Sequence, residues 1–147
     1  MDEAQDLCDK FLGNQRFDDP ELKKQVNELK AAILYEKNEF KQAIECLNTD
    51  EKQQKDIQCL MNEGCIYFKI EEHEKAIGLF KEASKLCGFN AELYYNIALC
   101  YYEMGTFSEA YFYLDTIIRR AYELYPKLKF VTPENPVFEK NDKLLAQ

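Results

Sequence analysis

Two segments of the sequence repeat each other at a fixed distance. Residues 60–80 read LMNEGCIYFKIEEHEKAIGLF, and residues 94–114, which begin 34 positions later, read YYNIALCYYEMGTFSEAYFYL. In each segment a small residue is followed by an aromatic residue, a second small residue and a large apolar residue at the same spacing. The corresponding pairs are Gly64 and Ala98, Tyr67 and Tyr101, Ala76 and Ala110, and Phe80 and Leu114.

A 34-residue period with this order of residues is the signature of the tetratricopeptide repeat (TPR), a hairpin of two antiparallel α-helices. The small residues let the two helix axes approach to about 8–10 Å, the large residues fill the next layer, and the tyrosines cover the junction between hairpins. We therefore predict an all-α fold of TPR hairpins stacked into a right-handed superhelix. The alternative is a plain helical bundle, since an alanine and a large residue four positions apart occur on many helices.

Capping and turn residues divide the chain into a TPR array and a tail. Asp19 can cap a helix that has Pro20 in its first position, Gly88 supplies the left-handed residue that helix ends favour, and Pro126 ends the last helix. We predict an array over 1–127, with a half hairpin over 1–13 and hairpins over about 19–48, 52–87 and 90–126. The tail, 128–147, is expected to be extended, with a short helix over 137–146 as an addition.

The first full hairpin departs from the pattern. Ala43 lies 33 positions before its counterpart in the next hairpin, and polar Asn27 and Lys30 fall where large apolar residues are expected. Either Leu34 or Tyr35 could occupy the aromatic position of the repeat, which Tyr67 and Tyr101 hold in the later hairpins. The sequence predicts this hairpin but leaves its register open.

Composition and charge disfavour several classes of function. The net charge of −8 argues against binding of nucleic acid and of anionic membranes, because both need Lys and Arg to displace counterions. No apolar run approaches the roughly 18 residues of a membrane span, and the acidic N-terminus is unlike a signal peptide. We expect neither nucleic-acid binding nor membrane insertion.

The six cysteines and the single histidine form no metal-binding motif. There is no CxxC, and His73 has no cysteine at a metal-finger spacing, so we interpret the cysteines as free, small apolar residues of a reducing, cytosolic compartment. His73, between Glu72 and Glu74, is interpreted as a solvated turn residue. Without a convergent catalytic set or a glycine-rich phosphate loop, we predict no enzyme activity, no cofactor, no metal and no small-molecule substrate.

The order of the motifs resembles one TPR family in particular. The runs NEGCIYFK at 62–69, EKAI at 74–77 and ELYYNIALCYY at 92–102 look like the ciliary TPR subunit of intraflagellar transport complex B, the fleer or tetratricopeptide repeat protein 30 family. IIRRAYELYPKL at 117–128 is similar to that family's long helix ending in a proline, and LKAAILY at 29–35 matches in order. The resemblance stops near Leu128, and family members are far longer, so we expect an internal fragment.

The resemblance implies a scaffold without catalysis. Members of the family wind into a closed TPR superhelix around a segment of a neighbouring complex B subunit, support transport along cilia and are linked to tubulin polyglutamylation. For this chain the resemblance implies protein partners within intraflagellar transport complex B, a location in the cytoplasm and the cilium or flagellum, and a role in cilium assembly. The alternative is a generic cytosolic TPR adaptor or co-chaperone that binds another peptide.

By the same resemblance, the first helix of each hairpin lines a concave face that binds a partner peptide. The side chains predicted to face inward are Met61, Cys65, Phe68, Tyr95, Leu99 and Tyr102. This apolar and aromatic lining suits a hydrophobic, proline-containing peptide and does not suit a clamp for a C-terminal carboxylate, which needs Lys and Arg. The alternative is that these residues only pack between helices.

Overall fold

The computed structural model describes residues 2–14, 16, 18–49 and 54–127. These ranges contain seven α-helices and no β-strand, so the fold is all-α, as predicted. The helices are α1 Asp2–Leu12, α2 Pro20–Glu36, α3 Phe40–Leu47, α4 Ile57–Lys69, α5 His73–Cys87, α6 Ala91–Glu103 and α7 Phe107–Leu124. The predicted tail, 128–147, lies outside the described residues.

The first helix of each hairpin begins with a side-chain cap. Asp19, Asp56 and Asn90 immediately precede α2, α4 and α6, and each accepts a hydrogen bond from a backbone N–H of the first turn, at 3.0, 2.8 and 3.1 Å respectively. A cap satisfies a helix N–H group that has no partner within the helix. These three residues therefore fix where each hairpin starts.

The second helix of each hairpin begins at a tight turn. Asn38, Glu71 and Gly105 have φ of 62, 64 and 75°, in the left-handed region that Gly and Asn adopt most readily. The residue after each of them donates its N–H to the carbonyl five positions back. These bonds are Glu39 to Leu34 at 2.8 Å, Glu72 to Tyr67 at 2.9 Å and Thr106 to Tyr101 at 2.9 Å. The three hairpins share one turn geometry.

This shared turn sets the register of the first hairpin. The left-handed residues are 33 positions apart between the first two hairpins and 34 apart between the last two. Leu34, which is fully buried, therefore occupies the place of Tyr67 and Tyr101, and Tyr35 does not. By the same offset, Ala31, 3% exposed, occupies the place of Gly64.

Asn27 and Lys30, the two polar residues found where apolar ones were expected, each have a polar partner. Lys30 Nζ lies 2.5 Å from Asp9 Oδ1 of α1, and Asn27 Nδ2 donates to Thr49 Oγ1 at 3.1 Å. By the 33-residue offset, Asn27 takes the place of buried Leu60, and Lys30 takes that of Glu63, which also forms an ion pair. The Lys30–Asp9 pair attaches α1 to α2.

The core lies between neighbouring hairpins in two clusters. The smaller joins α2, α3 and α4 through Ala31, Leu34, Ala43 and Ile66. The larger joins α4, α5 and α6, and its buried members are Leu60, Ala76, Ile77, Phe80, Ala83, Leu93, Ile97 and Cys100. Each helix packs on the helices before and after it in the chain, so the hairpins form a linear stack.

Two residues differ from the prediction. Leu114 was expected to fill a buried layer as Phe80 does, but it is 41% exposed whereas Phe80 is 1% exposed. The reason is that α6 covers Phe80, and no described helix packs over the corresponding face of α7. His73 is not a solvated turn residue: it is half-buried, begins α5, and places its ring centroid 5.2 Å from that of Phe68.

None of the described helices has both the length and the apolar character that a membrane span needs.

Candidate peptide-binding groove

Helices α2, α4 and α6 form one face of the stack, and two connected clefts run between them. The first, of about 280 Å³, lies between α2 and α4; the second, of about 150 Å³, continues towards α6. Tyr35 and Cys65 line both clefts and join them. We call this continuous depression the first-helix groove.

The register found above aligns the side chains of the three helices in rows. With an offset of 33 and then 34, the rows are Glu28, Met61 and Tyr95; Ala32, Cys65 and Leu99; and Tyr35, Phe68 and Tyr102. All three α2 members of these rows line the first cleft. The hairpins thus present equivalent positions to the same face.

The structure brings together three of the six residues predicted to face inward. Cys65, Phe68 and Leu99 line the second cleft together. Met61 is half-buried and packs against the larger core cluster. Tyr95 and Tyr102 are 54% and 60% exposed and line neither cleft formed by the described residues.

The exposed tyrosines sit at the end of the described stack. The Tyr102 ring packs on Phe107 of α7 with the ring centroids 5.5 Å apart. An inward-facing residue is enclosed only where its own helix has another first helix on each side. α6 is the last described first helix, so it has such a neighbour, α4, on one side only. Tyr95 and Tyr102 therefore stay open to solvent.

Sequence reasoning missed the α2 side of the groove. Glu28, Ala32 and Tyr35 were not singled out because the register of the first hairpin was open. Ala43 and Ala76, both on second helices, are 33 positions apart. Applying the same offset of 33 to the first helices would have identified these α2 residues. Asn62 and Asn96, 34 positions apart, also line the groove.

The groove is mainly apolar, with few charged groups. Burial raises the pKa of the Cys65 thiol, so the thiol is neutral and acts as an apolar surface. Lys69 borders the second cleft and Glu28 the first. The described residues contain no group of three or more His, Cys, Asp or Glu side chains placed to hold a metal ion. Such a surface can hold apolar side chains, with polar contacts at its edge.

Comparison with known families agrees with the helical hairpins. Residues 64–105 match a family model described as TPR repeat, and residues 91–127 match one described as tetratricopeptide repeat. The paired helices, the shared turns and these matches define the chain as a TPR protein.

Curated relatives identify the family within that class. The chain is 33% identical over 119 residues to the tetratricopeptide repeat protein 30 homolog of Drosophila melanogaster, covering 81% of the chain and 17% of that relative. It is 32% identical over 100 residues to intraflagellar transport protein 70A of Danio rerio, covering 68% and 15%. Against intraflagellar transport protein 70A1 of Mus musculus it is 30% identical over 119 residues, covering 76% and 18%. The chain belongs to this tetratricopeptide repeat protein 30 family, as the sequence motifs predicted.

The relatives give a coarse functional assignment. The chain is a TPR protein related to proteins that are named for intraflagellar transport. The chain spans less than a fifth of the length of these relatives.

Proposed function

We propose that this chain is a non-catalytic scaffold segment of intraflagellar transport complex B that binds an extended segment of a partner subunit in its first-helix groove. Through that contact it supports cilium assembly and tubulin polyglutamylation, in the cytoplasm and the cilium. The observation that carries the proposal is the continuous apolar groove across α2, α4 and α6, whose lining positions recur from hairpin to hairpin.

The shape of the groove favours an extended segment over a helix or a small molecule. Equivalent lining positions recur along the groove, one on each first helix. An extended chain, which advances about 3.3 Å per residue, can place side chains against each first helix in turn. Small Ala32 and Cys65 leave room for those side chains, and Tyr35 and Phe68 supply flat apolar contacts.

Two variants test the groove against a matched surface. Ala32 is exposed and lines the first cleft, so Ala32→Asp places a charge in the groove without entering the core. Leu86→Asp, at a 48% exposed apolar residue of α5, is the control. Each variant is co-expressed with individual complex B subunits, and the co-purified subunit is quantified. We expect one subunit to co-purify with the wild-type chain and with Leu86→Asp, and to be reduced at least about tenfold by Ala32→Asp, since burying an unpaired charge costs several kcal/mol.

Two outcomes would overturn the proposal. In the first, no complex B subunit co-purifies with the wild-type chain, and chaperones do, which would support the generic adaptor or co-chaperone. In the second, Ala32→Asp and Leu86→Asp reduce co-purification equally, which would place the contact outside the groove.

A further inference from the structure

Glu28 is the one acidic side chain in the three inward rows, and among the described residues it has no hydrogen-bond or ion-pair partner. Its Oε1 atom is buried, and neither carboxylate oxygen accepts a hydrogen bond from a described residue. It occupies the row of Met61 and Tyr95, where the other hairpins carry large apolar side chains. A carboxylate left unpaired in a partly buried place is destabilising unless a donor is supplied.

The basic side chains near Glu28 are already engaged. Lys24, one helical turn away on α2, pairs with the Asp56 carboxylate. Lys55 Nζ lies 2.5 Å from Glu63 Oε2 and 2.5 Å from Asn48 Oδ1. Burial raises the pKa of Glu28, and the negative charge of Asp56 raises it further, against a smaller opposing effect of Lys24. No described residue forms a hydrogen bond or an ion pair with this carboxylate.

Glu28 lies where the groove meets a separate cavity. It lines the first cleft of the groove and also this cavity, which has a volume of about 280 Å³ and lies beside the start of α2. Lys24 and Cys59 also line the cavity. A side chain that enters from the apolar part of the groove therefore meets Glu28 at the α2 end. At the other end, the lining around Leu99 and Phe68 is apolar apart from Asn96 and Lys69, and it includes no acidic side chain.

We propose that Glu28 is the specificity-determining residue of the groove and receives a Lys or Arg side chain of the bound segment. The inference rests on the proposed function, since it requires an extended partner segment in the groove. The segment it selects has apolar side chains against Ala32, Tyr35, Cys65 and Leu99, and one basic side chain at the α2 end. A single charge contact at one end also fixes the direction in which the segment lies.

The probe is a positional-scanning library of acetylated, amidated 12-residue peptides, with mixed Leu, Val, Phe and Pro at all positions but one. Binding is measured for the wild-type chain, for Glu28→Gln and for Glu36→Gln, an exposed glutamate on the same helix. We expect the wild-type chain and Glu36→Gln to prefer Lys and Arg by about tenfold or more at one position, the effect of a hydrogen bond between charged groups. Glu28→Gln should bind the apolar background but lose that preference.

The outcomes separate this inference from the proposed function. Peptide binding without a basic preference, or a preference that persists in Glu28→Gln, would overturn the role of Glu28 and leave the groove as a binding site. No binding of any peptide by the wild-type chain would contradict the groove as a peptide site and this inference with it.

A stability measurement distinguishes a ligand-directed Glu28 from a structural one. Because the pKa of Glu28 is raised in the folded chain, its charge opposes folding above that pKa and has no effect below the unfolded value, near pH 4. Glu28→Gln should therefore melt no lower than the wild-type chain at pH 7, and any gain should vanish near pH 4. A clear loss of melting temperature at pH 7 would show that Glu28 supports the fold and would overturn the proposal.

Discussion

Gly64, which has no side chain, sets how closely α4 and α5 pack. A Cβ atom added at Gly64 would lie 2.6 Å from Phe80 Cε1 and 2.9 Å from its Cζ, closer than carbon atoms approach. Because Phe80 is 1% exposed at the centre of the larger core cluster, its ring has little room to retreat. Gly64 is therefore required for the packing of Phe80.

Two glycine substitutions should have opposite effects on stability. Gly64→Ala is expected to lower the free energy of unfolding by about 1–3 kcal/mol through overpacking. Gly78→Ala, on α5, meets nothing within 4 Å and should raise it by roughly 0.5–1 kcal/mol, the usual gain from replacing a glycine within a helix. Urea denaturation of both variants provides the measurement. A stabilising Gly64→Ala would show that the two helices are not held by the Phe80 contact.

At the scale of the helical elements, the last hairpin tests whether paired small residues determine how closely its two helices approach each other. Ala110 is 4% exposed at the start of α7, where α7 approaches α6, whereas Ala121 is only half-buried near the end of that helix. Ala110→Phe should lower the melting temperature more than Ala121→Phe, because overpacking costs most where the axes are closest. Thermal unfolding followed by circular dichroism compares the two, and equal shifts would contradict the pairing.

The helices were predictable from the sequence because their signals are local. The caps at Asp19 and the turn at Gly105 lie within a few residues of the boundaries they set, and the 34-residue period aligns the last two hairpins. The α2 register was not predictable, since it depends on distant contacts. Lys30 is tolerated only because Asp9 of α1 pairs with it.

The groove was predictable only in part, for the same reason. The resemblance implies inward positions for Cys65 and Leu99, which the 34-residue period relates to each other, whereas Glu28 and Tyr35 require the offset of 33 that the shared turn reveals. The exposure of Leu114 depends on what packs over α7, and this information is not contained in α7 itself.

At the scale of the whole molecule, a buried polar cluster joins the first two hairpins. Glu63 on α4 has a side chain only 5% exposed, and Lys55 Nζ lies 2.5 Å from its Oε2. Asn48, which follows α3, donates to Glu63 Oε1 at 3.2 Å. The cluster ties the end of one hairpin to the first helix of the next.

Removing one member of this cluster should cost more than removing two. Lys55→Met leaves the Glu63 charge buried with only an amide partner and should lower the free energy of unfolding by about 1–3 kcal/mol. Adding Glu63→Leu should recover much of this loss, since the corresponding residue of the next hairpin is buried Ile97. Guanidinium denaturation of the two single variants and the double variant gives the coupling energy. Additive effects would mean that the ion pair does not link the hairpins.

If the proposed function is right, the first-helix groove holds an extended segment of an intraflagellar transport subunit. The photo-crosslinker benzoylphenylalanine is placed at position 35, in the groove, and at position 86, on the opposite helix layer, in ciliated cells. Mass spectrometry then identifies the crosslinked peptides. We expect position 35 to capture one continuous stretch of a complex B subunit and position 86 to capture none of it. Chaperone peptides at position 35, or the same subunit peptides at both positions, would contradict it.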